Sequence, residues 1–279
     1  MPQTLTEIKG LLASHGLRPK KRYGQNFLHD GNQMAKIIAA ADVQPGEIVL
    51  EVGAGTGALS VRLLEAGAQL IAVEIDADLQ PILEQVLAPF DERVELVIGD
   101  VLAGKHKLGE PVTSLLDQRL QIAGARRFKC IANLPYDVAS PLLVNLVTHQ
   151  PAMRQAVVMV QREVADRLTA APGGKDYGPL GVMIQAMCTV RVVGTVSPGC
   201  FWPVPAVESA IMQLARRPQP LCDDPDALAR LVHQLFSKRR KQLGRILGRS
   251  TPLPEGIDAD SRPEQLTVEQ LVALAHFTG

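Results

Sequence analysis

Between residues 47 and 100 the chain alternates apolar runs with helix-length stretches, and this rhythm constrains the fold more than any other feature. "EIVLEVG" (47–53) reads as a buried strand, followed by the turn "GAGTG" (53–57) and the helical pattern "ALSVRLLEAG". "QLIAVEID" (69–76), a helix at about 78–88 and "RVELVIGD" (93–100) continue the alternation. "FKCIAN" (128–133) resumes it after a longer polar stretch, and further strands are expected at 155–160, 189–196 and 209–215. Strands that alternate with helices imply an α/β fold with a doubly wound parallel sheet.

Two segments flank this region. At the N-terminus, a Thr4-to-Glu7 capping box opens a helix over 5–17 that stops at Gly16. The basic stretch "RPKKRYGQNFLHD" (18–30) follows, then a second helix from about Asn32 to Ala41. Near the other end, "ARRPQPLCDDPD" (215–226) is rich in proline and charge, and "ALARLVHQLFSKRRKQLGRIL" and "TVEQLVALAHF" beyond it read as helices. The expected organisation is a larger α/β domain over 1–217 and a smaller helical domain over 218–279.

The apolar share of 46% is enough for a sizeable core. Lys and Arg total 29, as do Asp and Glu, so bulk charge is silent about nucleic acid and any basic surface must come from clustering. Cysteines stand at 130, 188, 200 and 222 with no C-x-x-C pair, which argues against a metal site or a disulfide framework and for a reducing compartment. The N-terminus has no charged-then-apolar signal pattern and no run approaches a membrane span, so a cytoplasmic protein is expected.

A strand that ends in glycines brings backbone N–H groups and a helix N-terminus up to a ligand without side-chain obstruction. Gly53, Gly55 and Ala58 fit the dinucleotide pattern, with Glu74 about 20 residues on, and the glycines alone leave hydride transfer and methyl transfer equally open. Gly57 comes one residue early for the dinucleotide rule. Glu51, two residues before the first glycine, suits the ammonium and sulfonium of S-adenosylmethionine better than an anionic pyrophosphate. Glu74 ends the second strand, where a carboxylate accepts from ribose hydroxyls, and Asp100 ends the third, where it accepts from an adenine amine.

"KCIANLPYDVASP" (129–141) places Asn-Leu-Pro-Tyr at a strand end. Pro135 and Pro141 predict a rigid, irregular turn between them, with a helix beginning at Ser140. Methylation of an exocyclic amine requires freeing a lone pair conjugated into the ring, and acceptors for the amine hydrogens favour the tetrahedral nitrogen. The Asn133 oxygen and a carbonyl held by the Pro135 turn supply acceptors, and Tyr136 stacks on an extruded base.

Seven stretches together resemble the ordered motifs of the ribosomal RNA adenine dimethyltransferases. They are "KKRYGQNFLHD" (20–30), "LEVGAGTGALS" (50–60), "VEID" (73–76), "GD" (99–100), "NLPY" (133–136), "FWPVPAVESA" (201–210) and "LFSKRRKQL" (235–243). The likeness is closest to the branch that dimethylates two adjacent adenosines near the 3′ end of small-subunit ribosomal RNA. It implies a Rossmann-like class I methyltransferase fold and S-adenosylmethionine as methyl donor. It further implies cofactor contacts from Asn26, Leu28, Gly53, Glu74, Asp100 and Asn133, and base contacts from Asn133, Leu134, Tyr136 and Phe201. Phe201 is expected to stack on a base and Trp202 to pack between elements. Departures are mild: Ser60 replaces a threonine, Asp137 follows the motif where tyrosine or asparagine is common, and 101–127 is long and expected to form a surface excursion.

Two basic clusters point to RNA. Arg18, Lys20, Lys21 and Arg22 form the first. In the second, Leu235, Phe236, Leu243, Ile246 and Leu247 are expected to anchor one continuous helix, leaving Lys238, Arg239, Arg240, Lys241 and Arg245 as a stripe for phosphates. The partner implied is small-subunit ribosomal RNA in an assembly-stage subunit, bound by a monomer. The competing classes are a same-fold methylase of large-subunit RNA or DNA and a non-catalytic assembly factor; the "FWPVPAVESA" loop with its long helical tail leans away from the former, and intact Gly53, Glu74, Asp100 and Asn133 argue against the latter.

Overall fold

The nine strands of the computed structural model, which describes residues 3–104 and 107–278, fall into one large sheet and one small ribbon. In chain order they are β1 (Phe27–Leu28), β2 (Ile48–Val52), β3 (Gln69–Glu74), β4 (Val94–Ile98), β5 (Phe128–Asn133), β6 (Met153–Gln161), β7 (Cys188–Val196), β8 (Phe201–Trp202) and β9 (Ser209–Arg216). The large sheet has the order β4-β3-β2-β5-β6-β9-β7. Its first five strands are parallel, and β9 inserts antiparallel between β6 and β7.

Alternation along the strands sorts their side chains to two faces. Ile48, Leu50 and Val52 of β2 join the core that holds helices Tyr136–His149, Pro179–Met187 and Pro225–Phe236. Val49 joins the opposite core, formed with helices Leu5–Ser14, Gly31–Ala41 and Ala58–Glu65. The chain runs outward from β2 through β3 to β4, then crosses back to β5 on the other side of β2. That reversal opens a crevice at the carboxyl ends of β2 and β5, where open α/β sheets bind ligands.

The expected Thr4–Glu7 capping box is present, and the expected strands all form. Several local expectations are overturned. The helix after β5 begins at Tyr136, with Pro135 as its N-cap and Pro141 inside it, so no irregular turn separates the two prolines. Pro141 forfeits one intrahelical bond, and the first turn is tightened by a bond from the Val138 N–H to the Pro135 carbonyl (3.2 Å). The 101–127 excursion contains helix Glu110–Ile122, which buries Val112 and Leu116 in the core; Lys105 and His106 of that stretch lie outside the described residues. Helices Arg162–Thr169 and Pro179–Met187, between β6 and β7, carried no expectation.

The C-terminal helical run is broken. Helix Pro225–Phe236 stops at Phe236, residues 237–241 turn through bonds spaced three residues apart, and a short helix resumes at Leu243–Leu247. Packed like charges at 238–241 disfavour continuation, because neighbours on one helix turn would repel. Leu228, Leu231, Val232, Leu235 and Leu271 belong to the same buried cluster as Leu142 and Val182, so packing continues without a break across residue 218.

Candidate active site

Three glycines shape the floor of the crevice. Gly53, Gly55 and Gly57 all take left-handed backbone, with φ of 77°, 60° and 82°. A Cβ on Gly53 would meet the Pro135 ring at 3.1 Å, and one on Gly55 would meet the Phe27 ring at 3.2 Å. Conformation and space both demand glycine here, which is why a sequence pattern sufficed to find the turn.

Glu74 ties the turn to β3. Its Oε2 accepts the Gly55 N–H at 2.8 Å and its Oε1 the Asp76 N–H at 2.9 Å. Burial raises its pKa above the ordinary range, although these backbone donors pull it back. One lone pair on each oxygen remains for a ligand hydroxyl.

Glu51 is the more unusual carboxylate. Alternation puts it on the face opposite Leu50, 1% exposed, and its Oε2 has no hydrogen-bond partner. Burial pushes its pKa up to about 8, against the pull of the Ser60 hydroxyl, and the Glu74 charge adds to the rise. A buried acceptor without a donor is costly, and Glu51 lines the cleft, so its free oxygen is placed to take a cation or a hydrogen-bond donor from a ligand.

The ribbon of β1 and β8 completes the cleft. Phe27 pairs with Trp202 and Leu28 with Phe201, which carries the 201–208 loop to the N-terminal segment. Asn26, Leu28, Gly53, Gly55, Glu74 and Asn133 therefore line one cleft together with Leu134, Pro135, Tyr136 and Phe201. Asn133 donates from Nδ2 to the Asn26 carbonyl at 3.2 Å, which leaves Oδ1 as its free acceptor. Tyr136 Oη lies 3.4 Å from Ser209 Oγ, fixing the ring at the cleft edge. Phe201 is 2% exposed, so its ring forms wall rather than surface. Trp202 packs 6.4 Å from the Phe27 ring, with the Lys9 ammonium 5.3 Å from its own.

Asp100 does not line that cleft. It stands at the adjoining cavity of about 630 Å³, with Gly99, Val101 and Leu102, and the two spaces share Tyr23, Gly53, Ile75 and Pro135. The Asp100 side chain is exposed and accepts the Leu102 N–H at 2.9 Å. Sequence reasoning missed Tyr23, Gln25 and Ile75. All three lie within the motifs "KKRYGQNFLHD" and "VEID", without an assigned role; Ile75, an apolar residue between two acids, is 41% exposed and lines the shared space.

The chain matches the model of the family described as ribosomal RNA adenine dimethylase over residues 16–277. It belongs to that family. Ribosomal RNA small subunit methyltransferase A of Pseudomonas putida is 39% identical over 266 residues, covering 92% of this chain and 94% of that protein. The enzyme of the same description from Thermotoga maritima is 36% identical over 263 residues, covering 94% and 86%. Among solved structures, a dimethyladenosine transferase from Plasmodium falciparum superposes with a TM-score of 0.72 at 26% identity, covering 89% of this chain and 95% of that one. The 23S rRNA methyltransferase ErmE gives 0.65 at 26%, covering 90% and 99%. The family's fold is thus the one the β-α rhythm implies, and its methyl-transfer chemistry resolves the ambiguity the glycines left open.

The two basic clusters are each divided. Arg18, Lys21 and Arg22 are exposed, whereas Lys20 bonds Asp76 and Asp78. Lys238, Arg240 and Lys241 are exposed, whereas Arg239 pairs with Glu264 and donates to the carbonyls of Gly174 and Lys175. Among the described residues no helix is long and apolar enough to cross a membrane.

Proposed function

We propose that this chain uses S-adenosylmethionine to dimethylate two adjacent adenosines near the 3′ end of small-subunit ribosomal RNA, in the cytoplasm and within an assembly-stage subunit. The monomer is the acting unit in this reading, and the cleft is lined by residues of one chain. The observation that carries the reading is the Asn133 amide, held by Asn26 at the junction of the glycine turn, Tyr136 and Phe201.

The residues present fit the cofactor. The unpartnered Glu51 carboxyl suits the ammonium of the methionine moiety, Glu74 the ribose hydroxyls, and Asp100 the adenine amine, with Ile75 against the ring. Asn26 and Leu28, which line the same cleft, would help to hold the cofactor. When bound, S-adenosylmethionine supplies a methyl group on a positively charged sulfur.

The protein's own groups prepare the nucleophile. Tyr136 and Phe201 bracket the extruded adenine, and Asn133 Oδ1 with the Leu134 carbonyl accepts the two N6 hydrogens. The lone pair is thereby turned from the ring toward the methyl. The nitrogen gains a carbon and carries one hydrogen too many as an ammonium, acidic enough to release that proton to water, so no strong base is needed. The exposed Arg18, Lys21, Arg22, Lys238, Arg240 and Lys241 meet RNA phosphates, with 218–279 serving as the RNA-binding unit.

Mass analysis of RNA from small-subunit particles incubated with the purified chain and S-adenosylmethionine tests this. Dimethyladenosine at two neighbouring positions near the 3′ end is expected. Methylation confined to large-subunit RNA would move the function to the other branch of the fold, and binding without methylation would make the chain an assembly factor.

A further inference from the structure

Lys20 differs from the other basic residues around it. Its ammonium bridges Asp76 Oδ1 and Asp78 Oδ2, each at 2.5 Å. The Lys20 N–H donates to Gln25 Oε1 at 2.7 Å, and Gln25 Nε2 donates to the second oxygen of Asp76 at 2.8 Å. Lys20, Gln25 and Asp76 thus close a ring of hydrogen bonds, and Asp76 within it is 3% exposed. Burial alone would raise the Asp76 pKa, yet the bonds from Lys20 and Gln25 and from the Asp78 N–H hold it below the ordinary range.

The position of the ring matters more than its strength. Asp76 follows Glu74 by two residues at the end of β3, and its N–H is one of the two donors to Glu74 Oε1 and Oε2. Residues 18–25 hold only the 3₁₀ turn Lys21–Tyr23, and their backbone bonds stay within the segment. Among the described residues, the side-chain hydrogen bonds from this segment to the body of the protein end on Asp76 or Asp78. Yet Tyr23, Gly24, Gln25 and Asn26 form one wall of the cleft, and the Asn26 carbonyl orients Asn133. A wall without its own secondary structure depends on its tethers.

We propose that Lys20 is a positioning residue for cofactor binding: through Asp76 it fastens residues 20–26 across the cleft, tying the wall that orients Asn133 to the strand end that carries Glu74. Its charge is neutralised within the protein and does not contact RNA phosphate. The proposal rests on the reading of the cleft as the S-adenosylmethionine site.

Lys20→Met keeps most of the stem and removes the charge; Lys20→Arg keeps the charge. Three measurements on the full chain separate the possibilities: amide exchange without ligand, calorimetric affinity for S-adenosylmethionine, and binding to small-subunit particles across a salt series. In Lys20→Met, amides at 20–26 should exchange roughly tenfold faster or more while those of β2 and β5 hold, and cofactor affinity should fall roughly tenfold. The salt slope of RNA binding should match the wild type, and Lys20→Arg should restore most of the affinity. Wild-type cofactor affinity in Lys20→Met would overturn the proposal, and a salt slope flatter by about one contact would overturn it by making Lys20 a phosphate ligand. Faster exchange throughout β2 and β5 would overturn it by making the pair a general stability element. If the wild type itself failed to bind S-adenosylmethionine, the cofactor reading would fall, and amide exchange would still decide whether Lys20 holds the wall.

Discussion

Asn133 donates from Nδ2 to the carbonyl of Asn26, 107 residues away in the chain, at 3.2 Å. The bond crosses from the end of β5 to the segment before β1 and determines which end of the amide faces the cleft. Asn133→Ala should therefore lose at least a hundredfold in single-turnover methylation, because an acceptor to the reacting amine acts mainly in the transition state. RNA affinity should stay within twofold. Asn133→Asp separates two roles: it keeps an acceptor but cannot donate to Asn26, so cofactor affinity should suffer along with turnover. Turnover at the wild-type rate in Asn133→Ala would remove the residue from the chemistry.

With the ammonium of S-adenosylmethionine on Glu51, as proposed, cofactor binding releases a proton. Its folded pKa of about 8 lies above the ordinary 4.5, so the unliganded chain favours the protonated form. Its contribution to stability is complete below about 4.5 and is lost as pH rises through 8, at up to about 1.4 kcal/mol per unit. A bound ammonium reverses the preference and expels the proton, so calorimetry near pH 7 should show heats that differ between buffers of high and low ionisation enthalpy. Glu74 and Cys130 are the titratable neighbours of the group. Glu51→Gln should erase most of the buffer dependence, weaken binding, and flatten the fall in unliganded stability between pH 5 and 8. Equal buffer dependence in both proteins would exclude Glu51 as the ammonium's partner.

Glu74 and Asp100 should not be equivalent. Glu74 is buried and anchors Gly55 and Asp76, whereas Asp100 is exposed and, among the described residues, its side chain bonds only Leu102 in its own loop. Glu74→Ala removes a ligand acceptor and releases the glycine turn, so calorimetry should show S-adenosylmethionine weakened by roughly 1.5–3 kcal/mol or more. Asp100→Ala should weaken it by about 1 kcal/mol, as expected for an exposed acceptor. Equal losses would mean that Asp100 becomes buried against the ligand.

The sequence revealed most of this site wherever the constraint was local. Gly53 and Gly55 need positive φ, and Glu74 ends a strand whose four residues before it are apolar, so short motifs sufficed. What could not be read was long-range. The pairing of Phe27–Leu28 with Phe201–Trp202 involves two residues on each side, too few for any periodicity. Pro141 misled because a proline's usual effect on helices was applied without the tertiary packing of Ala139, Leu142 and Leu143, which outweighs one lost bond. Lys20 and Arg239 looked like their neighbours because their partners, Asp76 and Glu264, are 56 and 25 residues away.

That division of the second basic cluster yields the last prediction. Lys238, Arg240 and Lys241 are exposed on the turn after helix Pro225–Phe236, while the Arg239 guanidinium spans Glu264 and the carbonyls of Gly174 and Lys175. Each phosphate contact releases condensed counterions, so replacing Lys238, Arg240 and Lys241 with glutamine should flatten the logarithmic salt slope of binding to small-subunit particles by up to about 2–3. S-adenosylmethionine affinity and melting temperature should hold, because none of the three lines the cleft or supports the core. Arg239→Gln should do the reverse. Losing the link among the 171–178 loop, residue 264 and the turn should lower the melting temperature by several degrees, at roughly 2–4 °C per kcal/mol, with less effect on the salt slope than any one of its neighbours. A salt slope that drops for Arg239→Gln and holds for the triple variant would show that the guanidinium leaves Glu264 for phosphate when RNA binds.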